Sequence, residues 1–385
     1  EDLFDETHDA KYADFYESAM WNHILSTQDP STGGYVYFTT LRPQGYRIYS
    51  QVNQGMWCCV GTGMENHSKY GHFIYTHSED NKTLYVNLFT ASRLEDKTFS
   101  LTQETQFPYS QTTKLTINKA GKFDLAIRHP QWAGESFSIK VNGTDVPTSV
   151  AAGQAGYETV SRTWKAGDVV EVALPMQLSY ETCPGYKDYI AFKYGPILLA
   201  AQTTAASTEE AQETGLQYEK LQNEYGGEGR MDHAPGSMAK RLSLSYAPLL
   251  IGERDDVMKR ISPTEGKACQ FTIDASSTQS KGGWTTLQLV PFYTIHHARY
   301  SCYWYQQTEE NYALSDMGRA DAIEEALTAR TIDFVATGEQ QSEAGHDATH
   351  SANSTSGSYQ GEYYRDARQG GYMEYTLSNP DKLTE

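Results

Sequence analysis

Apolar positions follow a helical period near the start of the chain and a period of two beyond residue 80. Tyr12, Phe15, Tyr16, Ala19, Ile24 and Leu25 fall at roughly helical spacing after Asp9, so a helix capped by Asp9 is expected over Ala10–Ser26. Asp29-Pro30-Ser31-Thr32-Gly33-Gly34 breaks it, Tyr35-Val36-Tyr37-Phe38 is a short extended piece, and Leu41-Arg42-Pro43 opens a loop. A second helix is expected over about Thr62–Thr76, with Phe73 and Ile74 on its apolar side. Residues 1–78 then form the C-terminal part of a helical domain whose remainder lies outside this chain, which starts at Glu1 rather than Met and looks like a fragment.

After Asp80-Asn81-Lys82 the alternation begins: Leu84, Val86 and Leu88; Leu115 and Ile117; Phe123, Leu125 and Ile127; Phe137, Ile139 and Val141. Asn142-Gly143 is a strong hairpin turn signal. Val170, Val172 and Leu174 follow, then Ile190 with Phe192 and the continuous run Ile197-Leu198-Leu199-Ala200. Short, frequent strands of this kind predict an antiparallel β-sandwich over 79–202. A polar, acidic, glycine-rich linker (203–241) leads to an accessory β domain (242–307) with Phe271-Thr272-Ile273, Leu287-Gln288-Leu289-Val290 and Arg299–Trp304 as strands. A linker with a helix near Ala320–Arg330 fills 308–330, and 331–385 opens a further sandwich with a strand at Gly370–Tyr375. The expected fold class is therefore multidomain α + β, helical first and antiparallel β afterwards.

A chain of 385 residues suits two to four such domains. Its 31 basic residues against 49 acidic ones give a formal charge of −18, which argues against nucleic-acid or anionic-membrane partners. Twenty-eight tyrosines with few basic groups suit stacking on neutral rings such as sugars. Five cysteines at irregular spacing make no disulfide framework, and Cys183, Cys269 and Cys302 are expected as buried singletons. No apolar run approaches a membrane span, and no signal peptide is visible.

The densest chemistry lies in Trp57-Cys58-Cys59-Val60-Gly61-Thr62-Gly63-Met64-Glu65-Asn66-His67. Adjacent side chains point opposite ways in a strand, so Cys58 and Cys59 converge only where the backbone turns, and Gly61 and Gly63 allow a turn. A Cys just before a helix feels the helix's positive end, which favours thiolate, the form that binds zinc and attacks carbon. The plain alternative is a pair of small buried hydrophobes. A zinc site needs three or four ligands, and Glu65 and His67 are the nearby candidates, each also suited to a surface or supporting place.

Together with Gly34-Tyr35-Val36-Tyr37-Phe38-Thr39-Thr40-Leu41-Arg42-Pro43, this segment resembles the β-L-arabinofuranosidases of glycoside hydrolase family 127 and the related family 146. The sandwich ending Tyr194-Gly195-Pro196-Ile197 is similar to that family's middle domain, and Val290–His296 resembles an accessory β domain of Bacteroides-type members. The resemblance implies an (α/α)6 toroid, present here as its C-terminal remnant, followed by β-sandwiches. It implies Zn2+ held by three cysteines and a glutamate, with Cys58 as ligand and nucleophile, Cys59 as ligand and Tyr37 near the sugar. The function implied is retaining hydrolysis that releases β-L-arabinofuranose or a related L-sugar from oligosaccharides or plant polysaccharide side chains. It also implies a periplasmic or secreted location in a Gram-negative bacterium. The family's Glu-x-Cys ligand pair and its acid/base glutamate lie upstream of Glu1, so the chain alone is expected to be inactive. Glu181-Thr182-Cys183 imitates the missing pair but falls in the β region.

Two other readings stand beside the hydrolase: a non-catalytic carbohydrate-binding β-sandwich protein with both cysteines in a core, and a closed structural zinc site. His296-His297 alternates faces of a strand and makes a poor metal pair. Asn66, Asn81, Asn142 and Asn353 begin sequons that occur readily by chance, and Asp366 and Arg368, beside Gly370-Gly371, suit either a sugar contact in a binding sandwich or, more plainly, a turn salt bridge.

Overall fold

A computed structural model of the chain describes residues 1–36, 39–47, 49–50, 58–203, 244–277, 279–280, 282–296, 298–315, 326, 331, 333–359 and 362–378. A short helix, α1 (Asp2–Thr7), precedes α2 (Ala10–Ala19), which Asp9 caps by accepting from the Lys11 amide at 3.0 Å. The expected helix over Ala10–Ser26 is helical but not uniform: a π turn at Met20–Ile24 and a 3₁₀ turn at Leu25–Thr27 complete it. Nor is its buried side the one the apolar spacing suggested. Phe15 is 75% exposed, while Ala10, Ala13, Glu17 and Met20 face inward.

That inner side is partly acidic because it meets a buried cation. Arg128, fully buried in the next domain, donates to Asp14 at 2.6 Å and pairs with Glu17 at 2.6 Å. The π turn then makes the three-way junction. Trp21 packs against the cores of the helical segment, the sandwich and the second β unit. Next to it, the Asn22 amide donates to Pro196 O at 2.7 Å and accepts from the Leu198 amide at 2.8 Å. The wide π turn accommodates an extra residue at this crowded point.

The sandwich has two sheets. One orders β1 (Tyr75–His77), β2 (Thr83–Val86), β6 (Gly121–His129) and β9 (Gly156–Trp164). The other orders β3 (Ser92–Glu95), β4 (Ser100–Thr105), β5 (Thr112–Ile117), β10 (Val169–Ala173), β7 (Ser138–Val141) and β8 (Thr144–Val146). Between them lie the alternating residues Leu84, Val86, Leu115, Ile117, Leu125, Ile127, Ile139, Val170 and Val172, all 5% exposed or less. Asn142 and Gly143 have φ of 50° and 79°, as a tight β7–β8 hairpin requires. The pairing is not wholly antiparallel, since β2 and β6 run parallel. Their connection passes through the opposite sheet, the long crossover that parallel neighbours need.

The sheet partition also differs from the expected sandwich over 79–202. β11 (Leu178–Cys183), β12 (Tyr186–Tyr194) and β13 (Ile197–Gln202) belong to a third sheet with β14 (Leu249–Ile251), β15 (Ile261–Pro263), β16 (Phe271–Asp274), β17 (Thr286–Pro291), β18 (Tyr300–Ser301) and β19 (Trp304–Gln307). Ile190, Phe192, Ile197 and Leu199 are buried there against Leu250, Leu289 and Trp304. Except for Thr203, the stretch 203–241 lies outside the described residues, as does the expected helix at 320–330 apart from Ala326. Toward the C-terminus β20 (Thr349–His350) pairs with β23 (Met373–Glu374), and β21 (Ser354–Tyr359) pairs with β22 (Glu362–Ala367). The strand expected at Gly370–Tyr375 shrinks to Met373–Glu374, because Gly370, at φ 77°, sits in the preceding turn.

Candidate active site

The helix α3 spans Cys58–Ser68, takes in both cysteines ahead of the expected start at Thr62, and stops eight residues short of the expected end, where Tyr75 already belongs to β1. Both cysteines are therefore helical. Successive helical positions diverge by about 100° rather than the alternation of a strand, so neighbouring side chains can meet. The Cys58 and Cys59 sulfurs are 3.9 Å apart, with Cys58 exposed and Cys59 half-buried. Their convergence comes from the helix itself and not from a glycine turn, since Gly61 and Gly63 are both helical.

The glycines differ in what surrounds them. A Cβ at Gly63 would lie 2.7 Å from Tyr35 Cδ1, whereas one at Gly61 would meet nothing within 4 Å. Gly63 is thus the seat of the buried Tyr35 ring, which also meets His67 edge-on at 5.3 Å. His67 Nδ1 lies 2.8 Å from Gly63 O, and its ring also packs by Tyr70 at 5.4 Å. His67 sits eight positions after Cys59, roughly 12 Å along the axis. Glu65 pairs with Lys69 at 3.0 Å on the surface. Neither joins the sulfurs: among the described residues no group of three or more His, Cys, Asp or Glu is placed to hold a metal. The pair itself fits zinc, because two sulfurs about 2.3 Å from a tetrahedral ion lie about 3.8 Å apart.

Tyr37 lies outside the described residues. The strand piece before it is fixed: Val36 bridges Tyr49, and the Ser50 amide donates to Tyr35 O at 2.8 Å. Glu181-Thr182-Cys183 lies on β11, where Glu181 pairs with Lys193 at 2.8 Å and a bulge falls at Thr182/Cys183. Cys269 and Cys302 are buried as expected, but Cys183 is only half-buried. His297 lies outside the described residues, and His296 is in no strand, its Nδ1 being 2.5 Å from the Tyr49 hydroxyl. Asp366 accepts from the Thr355 amide at 3.0 Å and so ties β22 to β21, rather than serving a turn salt bridge.

A polar groove of about 870 Å³ lies elsewhere, on the sandwich. Glu104, Lys114, Glu171 and Lys140 cross it in register on β4, β5, β10 and β7. Their alternating charges neutralise one another pair by pair.

Sequence reading missed the buried residues of the loop ahead of α3. Arg47 is 4% exposed, donates to Ser26 O at 2.8 Å and Phe292 O at 3.1 Å, and lies 4.3 Å over the Phe292 ring. A single arginine in a loop carries no motif, and Phe292 is 245 residues away.

Paired cysteines on a helix, with β units after it, define a helix-plus-β protein, and comparison with known proteins makes this specific. Residues 1–72 match the family model described as the β-L-arabinofuranosidase GH127 catalytic domain, and residues 83–176 match its middle domain. Over residues 1–72 and 83–176 the chain is GH127 β-L-arabinofuranosidase-like. Residues 179–306 match a domain of unknown function, and 326–385 a family of unknown function. Among solved structures, one titled a glycoside hydrolase is 21% identical with a TM-score of 0.56, covering 79% of this chain and 50% of its own. A GH127 β-arabinofuranosidase is 21% identical with a TM-score of 0.55, covering 79% and 47%. A GH127 β-L-arabinofuranosidase from Geobacillus stearothermophilus T6 is 17% identical with a TM-score of 0.51, covering 79% and 48%. The chain thus spans about half the length of the structures it matches. No curated protein matches it. Among the described residues no helix is long and apolar enough to cross a membrane.

Proposed function

We propose that this chain supplies the nucleophile-bearing part of a retaining glycoside hydrolase that releases β-L-arabinofuranose or a related L-sugar. The observation that carries this reading is the Cys58–Cys59 pair, 3.9 Å apart on α3, with Cys58 open to solvent. It lies within residues 1–72, which match the catalytic-domain model. A pair of core cysteines, as the carbohydrate-binding alternative requires, would place Cys58 inside.

Cys58 and Cys59 would hold Zn2+, which when bound keeps both sulfurs deprotonated at neutral pH. Cys58 Sγ bonds to the anomeric carbon as the glycosidic C–O bond breaks, and a carboxylic acid protonates the departing oxygen. The resulting carboxylate then takes a proton from water, whose oxygen displaces the sulfur. Two displacements at one carbon retain its configuration. Tyr37 would line the sugar subsite. The described residues place no carboxylate with the sulfurs, so the acid/base and the remaining ligands are assigned to residues outside them.

The test is Cys58→Ser in the full-length protein, assayed on a chromogenic β-L-arabinofuranoside. Turnover is expected to fall by about 10³-fold or more, since loss of a nucleophile is not compensated by binding. A variant that keeps wild-type turnover removes Cys58 from the chemistry.

A further inference from the structure

The geometry points to a role for residues 179–306, the domain of unknown function: it braces the loop at 40–50 and, through that loop, positions the cysteine pair. Three buried attachments make the brace. Arg299, 2% exposed, donates to Gln44 O at 2.7 Å, and the Gln44 main-chain N–H donates to Ser301 Oγ at 3.3 Å. Gly45 and Tyr300 form a β-bridge, closed by the Tyr300 amide donating to Gly45 O at 2.8 Å, while the Tyr300 hydroxyl donates to Thr40 O at 2.5 Å. Arg47 joins Ser26 O to Phe292 O, and its guanidinium lies over the edge-to-face pair of Phe292 and Tyr300, 4.3 and 5.2 Å from their centroids.

From there the contact reaches α3 without a gap. Tyr49, whose hydroxyl accepts from Arg47 at 3.3 Å, bridges Val36. Beside it, Ser50 and Tyr35 exchange bonds at 2.8 and 3.1 Å. The Tyr35 ring rests on Gly63 and His67, one to two turns beyond Cys58 and Cys59.

A simpler account would make these contacts ordinary domain glue. Interdomain contacts are often polar, so it is the burial and the direction of the bonds that separate the two accounts. Here the loop buries Gln44, Arg47 and Ser50 and is held by directional bonds to main-chain carbonyls. Such bonds fix a loop to within their own tolerance, and arginine's rigid fork strengthens that. Arg47, Tyr49, Arg299 and Tyr300 are therefore positioning residues for Cys58 and Cys59.

The turnover part of the test rests on the hydrolase reading, and the thiol part does not. Arg47→Met, Arg299→Met, Arg47→Lys and the milder Tyr49→Phe are made in the full-length protein and compared at temperatures where each is folded by near-UV circular dichroism. In Arg47→Met and Arg299→Met, kcat is expected to fall about tenfold or more with KM within about threefold, because misplacement costs chemistry more than binding. Iodoacetamide should label the half-buried Cys59 at least about fivefold faster, as local opening exposes it. Tyr49→Phe should show the same split to a smaller degree, and Arg47→Lys should recover part of both effects by keeping the charge. Folded variants with kcat within about twofold of wild type and an unchanged Cys59 labelling rate overturn the brace. If the wild type itself does not turn over but Cys59 labelling still responds, the brace stands and the hydrolase reading fails.

Discussion

Glycines two residues apart in one helix are expected to respond oppositely to the same change. Gly61→Ala adds a methyl where nothing lies within 4 Å, so the alanine's better helix propensity should stabilise by about 0.5–1 kcal/mol. Gly63→Ala gains the same propensity but drives its Cβ to 2.7 Å from the Tyr35 ring. Tyr35 cannot retreat easily, being held by bridges and bonds to Gln28 and Ser50 on either side. Overpacking of about 1–3 kcal/mol should therefore win. Thermal melts of the two variants check this, and a stabilised Gly63→Ala would show that Tyr35 is not seated as described. The two glycines also show why the start of α3 was hard to place. Their low propensity argues for a turn and a helix from Thr62, but Gly63 packs under Tyr35 and the helix takes in Gly61, Cys59 and Cys58 as well. The cysteine pair was legible as chemistry. The route by which its sulfurs meet was not.

Between sequence and sheet the clearest single device is Glu158 on β9, which is 4% exposed and closes the loop before its own strand. Its carboxylate accepts from the Ser149 amide at 2.9 Å, the Ser149 hydroxyl at 3.1 Å and the Val150 amide at 2.8 Å, with His129 Nδ1 at 3.5 Å. Burial acts to raise its pKa, but these donors prevail and hold it below the ordinary glutamate value. A folded pKa below the unfolded one means the stabilisation is complete above about pH 4.3 and is lost as pH falls through the folded value. Glu158→Gln should accordingly cost roughly 2 kcal/mol at neutral pH, because the amide offers one acceptor oxygen in place of two. The gap to wild type should narrow below about pH 4. Chemical denaturation at several pH values measures both, and a gap that does not change with pH would refute the charged-acceptor account. Alternation made the strands themselves visible, and Asn142-Gly143 made one hairpin visible. Pairing did not show: nothing near Leu84 or Leu125 announces that β2 and β6 lie side by side and parallel.

At the scale of the whole molecule, partner choice decides where one unit ends. Strands β11–β13 follow the sandwich without a break in sequence, and their apolar run suggested that they complete it. Ile190, Phe192, Ile197 and Leu199 instead bury themselves against Leu250, Leu289 and Trp304, which arrive only after the long polar stretch. The sandwich core closes by Leu174 and Met176. A chain of residues 75–176 holds every strand of both sandwich sheets, and its one fully buried charge, Arg128, simply regains water once α2 is gone. It should be monomeric and unfold in one cooperative transition. Lengthening it to residue 202 adds β11–β13 without the strands that cover them, leaving four large apolar side chains and an unpaired edge in solvent. That longer chain should bind a hydrophobic dye and associate, because exposed apolar strands recruit one another. Gel filtration and dye fluorescence separate the two outcomes. A longer chain that is the better-behaved monomer would place β11–β13 with the sandwich, and would detach from residues 179–306 the very sheet that carries the brace.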